Sequence, residues 1–190
     1  LAGGVLWFVL YLFGFIAGYN TKVELKEQDP VNIKAAESMA KLHDKLKEIG
    51  YEGHELELYL VRLLFCLFAD DSSIFNKNIF YDYIKEHSAE DGVNLASTIN
   101  ELFEILNTPL DKRLKNISDE LNAFPYVNGK LFEERLPLAS FDSKMRNILL
   151  ECCALDWDKI SPAIFGSMFQ GVMDSDKRRN LGAHYTSERN

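Results

Sequence analysis

Proline is scarce in this chain, at 5 of 190 residues, and so is cysteine, at 3. Few prolines leave long stretches free to propagate helix, because proline removes a backbone donor and breaks helix interiors. An odd cysteine count, with Cys152 next to Cys153 and Cys66 inside an apolar run, gives no disulfide framework. No CxxC pair occurs and no His stands at ligand spacing from a Cys, so no structural metal site is encoded. The thiols read as reduced and mostly buried. Neither G-x-G-x-x-G nor G-x-x-x-x-G-K-S/T is present, so no phosphate cradle is visible. Excess positive charge is missing too: 29 acids face 21 bases, for a net charge of −8. A nucleic-acid binder that works alone is usually basic, so any such contact here has to be local or made by other parts of a larger protein.

What is present is ordinary globular material tilted toward helix, with 47% hydrophobic and 12% aromatic residues, enough for the core of one domain. Leu1 to Asn20 carries no charge. By length it could span a membrane, but it lacks a basic n-region and a cleavage site, and Gly3, Gly4, Gly14 and Gly18 interrupt it. A membrane anchor and an apolar segment packed on the helices behind it, or on another domain, both stay open. The chain starts at Leu1 without an initiator methionine. At its other end a basic stretch stops at Gly182, and Thr186 or Ser187 then looks like the N-cap of a further helix with Glu188 in its first turn. The expectation is a piece of a larger protein.

Apolar spacing predicts a series of helices. The first runs from about Pro30 to Ile49, with Asp29 as N-cap, Pro30 at the first position, a stripe of Ala35, Met39, Leu42, Leu46 and Ile49, and Gly50 as terminator. The second, His54 to Ala69, is apolar all round from Leu58 onward apart from Arg62, so it belongs at the centre of a bundle. Buried there, Arg62 calls for an acidic partner. Further helices are expected over Asn76–His87, Asn94–Asn107, a stretch to about Leu155 capped by Asp142, and one opened by Ser161-Pro162 to about Met173. Asn128-Gly129 between apolar residues signals a hairpin. The predicted fold is all-α: a multi-helix bundle with one small β-hairpin near residues 126–131.

Chemistry is thin. Glu24-Leu25-Lys26 has the E-x-K spacing of metal-dependent nucleases, but no earlier acid precedes it on a strand, and a chance match is the better account. His43 and His87 fall on or near polar faces and read as solvated, and His54 at a helix start reads as a capping residue. Asp70-Asp71 and Glu133-Glu134 read as solvated helix-end acids. The dense basic groups are Lys112, Arg113 and Lys115, then Lys177, Arg178 and Arg179, which are candidate contacts to DNA phosphates if the parent acts on DNA. No catalytic set and no metal ligands are assigned.

Several segments, in order, resemble the MmeI-like restriction–modification enzymes. They are Gln28 to Glu37, Leu42-His43-Asp44, Leu60 to Ala69, Phe124 to Gly129, Ile160 to Gln170, and Arg178 to Glu188. The resemblance runs from about Phe13 to Glu188; Leu1 to Leu12 match poorly. It implies a parent that joins a nuclease, a helical spacer, an S-adenosylmethionine-dependent adenine methyltransferase and a target-recognition domain, working on double-stranded DNA in the cytoplasm without a membrane. On this reading residues 1–28 are an apolar lead-in, 29–173 the helical spacer, and 174–190 the junction and start of the methyltransferase. Gly182, His184, Tyr185 and Thr186 fall in what resembles the first cofactor-binding motif. There a Thr hydroxyl and helix amides can hold a carboxylate, and an aromatic ring can cover a sulfonium. The family's Gly-rich loop, its Asn/Asp-Pro-Pro-aromatic motif and its nuclease signature are not in this sequence, so the segment alone is expected neither to methylate nor to cut. Mg²⁺ enters only with a nuclease in the parent. A helical protein-interaction module unrelated to DNA and a membrane-tethered helical domain remain the rival readings.

Overall fold

A computed structural model describes residues 30–160 apart from residue 129, and in that stretch the side chains of Pro30 and Asn32 are left out of account. Six α-helices occur among the described residues: α1 (Pro30–Glu48), α2 (Gly53–Asp71), α3 (Ile79–His87), α4 (Leu95–Asn107), α5 (Asp119–Asn122) and α6 (Ser143–Cys153). Short 3₁₀ turns lie at Leu110–Lys112 and Trp157–Lys159. The all-α expectation holds.

Helix α1 buries Ala35, Met39, Leu42 and Leu46, the predicted stripe, against α2 and α6. Two residues depart from expectation. Ile49 is half-exposed, because the helix has already ended and Gly50, at φ +86°, turns the chain away. His43 is buried rather than solvated: α1 packs on two neighbours, so its covered face is wider than one stripe. Its Nδ1 lies 2.9 Å from the Asp44 carboxylate.

Helix α2 is the central element, with Tyr59, Leu60, Leu63, Leu64, Phe65 and Cys66 essentially inaccessible. Phe65 meets Phe75 and Phe132 edge-on, and Phe75 meets Phe124 in the same way, so the rings form one connected aromatic core. Cys66 and Cys152 are buried and free, and burial pushes the Cys152 thiol up to about 12, in keeping with inert thiols.

The hairpin at 126–131 is a correction: no strand forms among the described residues. Residues 125–128 are irregular and 130–133 form a turn; residue 129 lies outside the described set. The backbone groups there find other partners. The Val127 amide donates to the Leu106 carbonyl at the end of α4, at 2.8 Å. Arg62 donates from Nε to the Leu131 carbonyl and from Nη2 to the Glu134 carbonyl, both at 2.7 Å. With Val127 and Phe132 both directed into the core, the segment is fastened to helices and has no need of a cross-strand partner.

The acidic partner expected for Arg62 is therefore replaced by two main-chain carbonyls, with the Phe103 and Phe132 rings each 5.5 Å from the guanidinium carbon. Burial lowers its pKa, yet an arginine stays charged. Arg146 on α6 repeats the arrangement. It is buried, and it donates to the Ser88 hydroxyl (2.7 Å) and to the Lys85 and Ser88 carbonyls (3.2 and 3.3 Å) at the C-terminal end of α3. A cation there also meets the negative end of the helix dipole.

Helix α6 begins as predicted, with the Asp142 carboxylate accepting from the Met145 amide at 2.8 Å. The helix expected over 161–173 and the Asp29 cap lie outside the described residues.

Candidate functional site

Of the basic groups singled out in the sequence, Lys112, Arg113 and Lys115 are described. Lys177, Arg178 and Arg179 lie outside the described residues, as do Gly182, His184, Tyr185, Thr186, the Glu24/Lys26 pair and the apolar segment 1–20. Lys112 closes a 3₁₀ turn, and Lys115 follows in an irregular stretch; both side chains are exposed. Arg113 points inward. Its guanidinium donates to the Ile105 carbonyl (3.2 Å), the Thr108 carbonyl (3.3 Å), the Asn122 carbonyl (3.1 Å) and the Asn122 side chain (3.3 Å). It thus satisfies the last carbonyls of α4 and ties them to the end of α5, and burial lowers its pKa. Of the three, only the two lysines face solvent in a way that could meet a phosphate. Leu110 and Leu114 stand beside them, exposed by 63% and 73%, so the loop offers alternating apolar and basic tips on an anchored base.

The acids at the end of α2 are more constrained than their sequence suggests. Asp70 was expected to be solvated but is only 5% exposed. Its carboxylate accepts from the Phe80 amide (2.9 Å) and the Tyr81 amide (3.2 Å), so it caps α3 from outside that helix. This remote cap is required locally. Asn78 enters α3 at φ +63° and makes no side-chain cap bond of its own. Burial pushes the Asp70 carboxyl up to about 6, against the pull of those two amides. Its neighbour Asp71 accepts from the Trp157 amide at 2.7 Å, and burial raises its carboxyl too. Trp157 is fully buried and its indole Nε1 donates to the Cys152 carbonyl at 2.8 Å. An open cleft of about 690 Å³ adjoins these residues, lined among others by Asp70, Asp71, Lys77, Tyr81, Asp156 and Asp158. Its acids are occupied with backbone amides or lie at the surface, and nothing in it forms a catalytic set.

The other two described histidines, His54 and His87, are at the surface. The His87 ring, solvated as expected, stacks on Tyr83 and sits 2.6 Å from the Glu120 carboxylate, with Glu86 close by. All three are exposed, and the direct His87–Glu120 contact accounts for their grouping. His54 does not cap its helix; its Nε2 lies 3.1 Å from Glu134, which raises its pKa through that hydrogen bond. Among the described residues no helix is long and apolar enough to cross a membrane.

Sequence reasoning missed the backbone-capping roles of Asp70, Asp71, Arg113 and Arg146. One signal was available for the two acids: the apolar run of the central helix stops abruptly at them.

Two family models match successive parts of the chain. Residues 8–49 match the family described as MmeI, N-terminal domain, and residues 54–132 match the one described as MmeI, helicase spacer domain. DNA methyltransferase A of Bacillus subtilis (strain 168) is 44% identical over 171 residues, covering 87% of this chain and 19% of that protein. The solved structure of the type IIL restriction-modification enzyme MmeI in complex with DNA aligns with a TM-score of 0.73 at 67% identity, over 85% of this chain and 22% of that one. The chain thus spans about a fifth of the length of these relatives.

Proposed function

We propose that this chain, which belongs to the MmeI-like family of restriction–modification enzymes, is the rigid helical spacer that holds a nuclease at a set distance and orientation from an adenine-specific DNA methyltransferase. The observation that carries the reading is the main-chain anchoring of its buried and half-buried charges. Arg62, Arg113, Arg146, Asp70 and Asp71 each fasten one element to the backbone of another. Such a body transmits position, whereas a flexible linker would blur it. Residues 29–173 form the spacer on this reading, and 174–190 the beginning of the methyltransferase.

The parent transfers a methyl group from S-adenosylmethionine to an adenine extruded from double-stranded DNA. Gly182, His184, Tyr185 and Thr186 contribute to the methionine end of that cofactor site. Mg²⁺ serves the nuclease where the parent carries one. Lys112, Lys115, Lys177, Arg178 and Arg179 supply phosphate contacts, while Arg113 supports the loop that presents the two lysines. The activity is cytoplasmic, and the spacer by itself is not catalytic.

Thr186→Ala in the full-length enzyme tests the junction. S-adenosylmethionine affinity, read by calorimetry, should fall by about tenfold, the size of one lost hydrogen bond to a charged group, with the melting temperature of the cofactor-free protein unchanged. Unaltered affinity would remove the motif assignment.

A further inference from the structure

The C-terminal end of α4 is a meeting point for three stretches of chain. Arg113 donates to the carbonyls of Ile105 and Thr108, which holds the loop that carries Lys112 and Lys115. The Val127 amide donates to the carbonyl of Leu106, the residue next to Ile105, at 2.8 Å. Arg135 reaches Glu104 in the same last turn, its Nε 3.9 Å from the carboxylate, and is itself exposed. The loop and the stretch around Val127 are therefore pinned to neighbouring carbonyls of one helix end, where consecutive Cα atoms lie only about 3.8 Å apart. Their exposed side chains belong to one neighbourhood of the surface.

Around Val127 the chain sorts its side chains by chemistry. Val127 and Phe132 are sunk in the core, while Tyr126, Asn128 and Lys130 are exposed. The Tyr126 hydroxyl donates to Asn128 Oδ1 at 3.5 Å. That bond occupies the acceptor of the amide group and leaves its NH₂ donors for another partner. An amide donor and an ammonium on a pinned backbone share one chemistry, donation to an anion, and Asn and Lys both serve as donors to DNA phosphates. Charge points the same way. Glu104 lies by Arg135, Glu120 against His87 and Glu134 against His54. Among the described residues Lys112, Lys115 and Lys130 make no ion pair, unlike Lys45 and Lys159. Asp111, Asp119 and Glu133 stay exposed in the same stretch, so the contact is local and not a broad basic face. We propose that Asn128 and Lys130 join Lys112 and Lys115 in one DNA-backbone surface around the end of α4, with Tyr126 orienting the Asn128 amide toward a phosphate. This rests on the reading of the lysine loop given above.

The test uses the full-length parent enzyme and a fluorescein-labelled DNA duplex of mixed sequence, with affinity read by anisotropy over a salt series. Lys130→Gln should flatten the logarithmic salt dependence by about 0.9, as one lost phosphate contact does. Asn128→Asp should lower affinity by about tenfold, because it sets a carboxylate against a phosphate. Tyr126→Phe should lower it by about threefold with the salt slope unchanged, the worth of one neutral hydrogen bond. Lys41→Gln, exposed on α1, should change neither affinity nor slope. Melting temperatures of all these variants should match the wild type, which separates a lost contact from a loosened fold. With a benzophenone-bearing phenylalanine in place of Tyr126, ultraviolet light should join the protein to the duplex. Crosslinks to another domain instead identify a protein partner at this surface and overturn the proposal. So does unchanged binding in Asn128→Asp and Lys130→Gln while Lys112→Gln and Lys115→Gln still flatten the salt dependence, and that result leaves the lysine-loop reading standing. No effect in any of the three lysine variants on this surface overturns both.

Discussion

Replacing Arg62 by alanine removes the one charge from the middle of the central helix, and the structure allows the outcome to be worked through. Arg62 is 2% exposed. Truncation deletes its buried aliphatic stem, worth roughly 2 kcal/mol of packing at about 0.8 kcal/mol per methylene. It also removes the donors of the Leu131 and Glu134 carbonyls, which lie in half-buried and exposed residues, so the cost per acceptor falls near the low end of about 1–3 kcal/mol. Against this stands relief of the penalty for burying a cation, which is what lowers the arginine's pKa. The net expectation is a loss of about 3 kcal/mol in urea unfolding. Arg62→Met restores most of the volume but no donors, and should lose about 2 kcal/mol. Glu134→Gln decides what the partner is: because the main chain of Glu134 accepts the bond and its side chain is 51% exposed, the change should move stability by less than about 0.5 kcal/mol. A methionine variant as stable as the wild type, or a glutamine variant as damaging as the alanine, would refute the reasoning.

Three further outcomes follow from other buried and surface charges. The folded state holds the Asp70 proton more tightly than an ordinary carboxyl does, with a value of about 6 against 3.8. Asp70 therefore makes the protein less stable as pH rises from about 4 to 6, by roughly 3 kcal/mol in all, and its contribution is flat above that window. Unfolding measured across this range for wild type and Asp70→Asn should give a difference curve of that sign; one of opposite slope refutes it. On the exposed loop, Lys112→Gln and Lys115→Gln in the full-length enzyme should each flatten the logarithmic salt dependence of DNA affinity by about 0.9 for every phosphate left without its lysine, without altering stability. Arg113→Gln should instead lower the melting temperature, since its guanidinium holds carbonyls of α4 and α5. Salt dependence unchanged in both lysine variants would take this loop out of the DNA interface.

Element types in this chain were legible because long apolar periodicities dominate them. The stripe of Ala35, Met39, Leu42 and Leu46 and the all-round apolar run from Leu58 specify a helix and a central helix, and both are where the spacing puts them. The Asn-Gly signal failed for a reason that sequence does not expose. A hairpin needs its flanking segments to pair with each other, and here Arg62 and the end of α4 take those backbone groups first. The family was legible from ordered short segments, none of them decisive alone. The candidate cofactor residues were legible only through that resemblance, because Gly182, Tyr185 and Thr186 by themselves describe any capped turn.

Charge was the least legible property, and the reason bears on what this body does. From sequence, Arg62, Arg113, Asp70 and Asp71 divide into one buried anomaly and several wet surface groups. In the fold all four bind main-chain atoms, and all four do so across element boundaries. A side chain that pairs with another side chain can move together with it. One that holds an amide or carbonyl at the end of an element fixes where that element starts or stops. Asp142 and Ser118 cap their own helices from adjacent positions. The ties from Arg62 and Asp71, which span tens of residues, instead fix how distant elements are placed relative to one another. That is the property the proposed spacer role requires, and on that proposal the functional weight of this chain lies on its element ends.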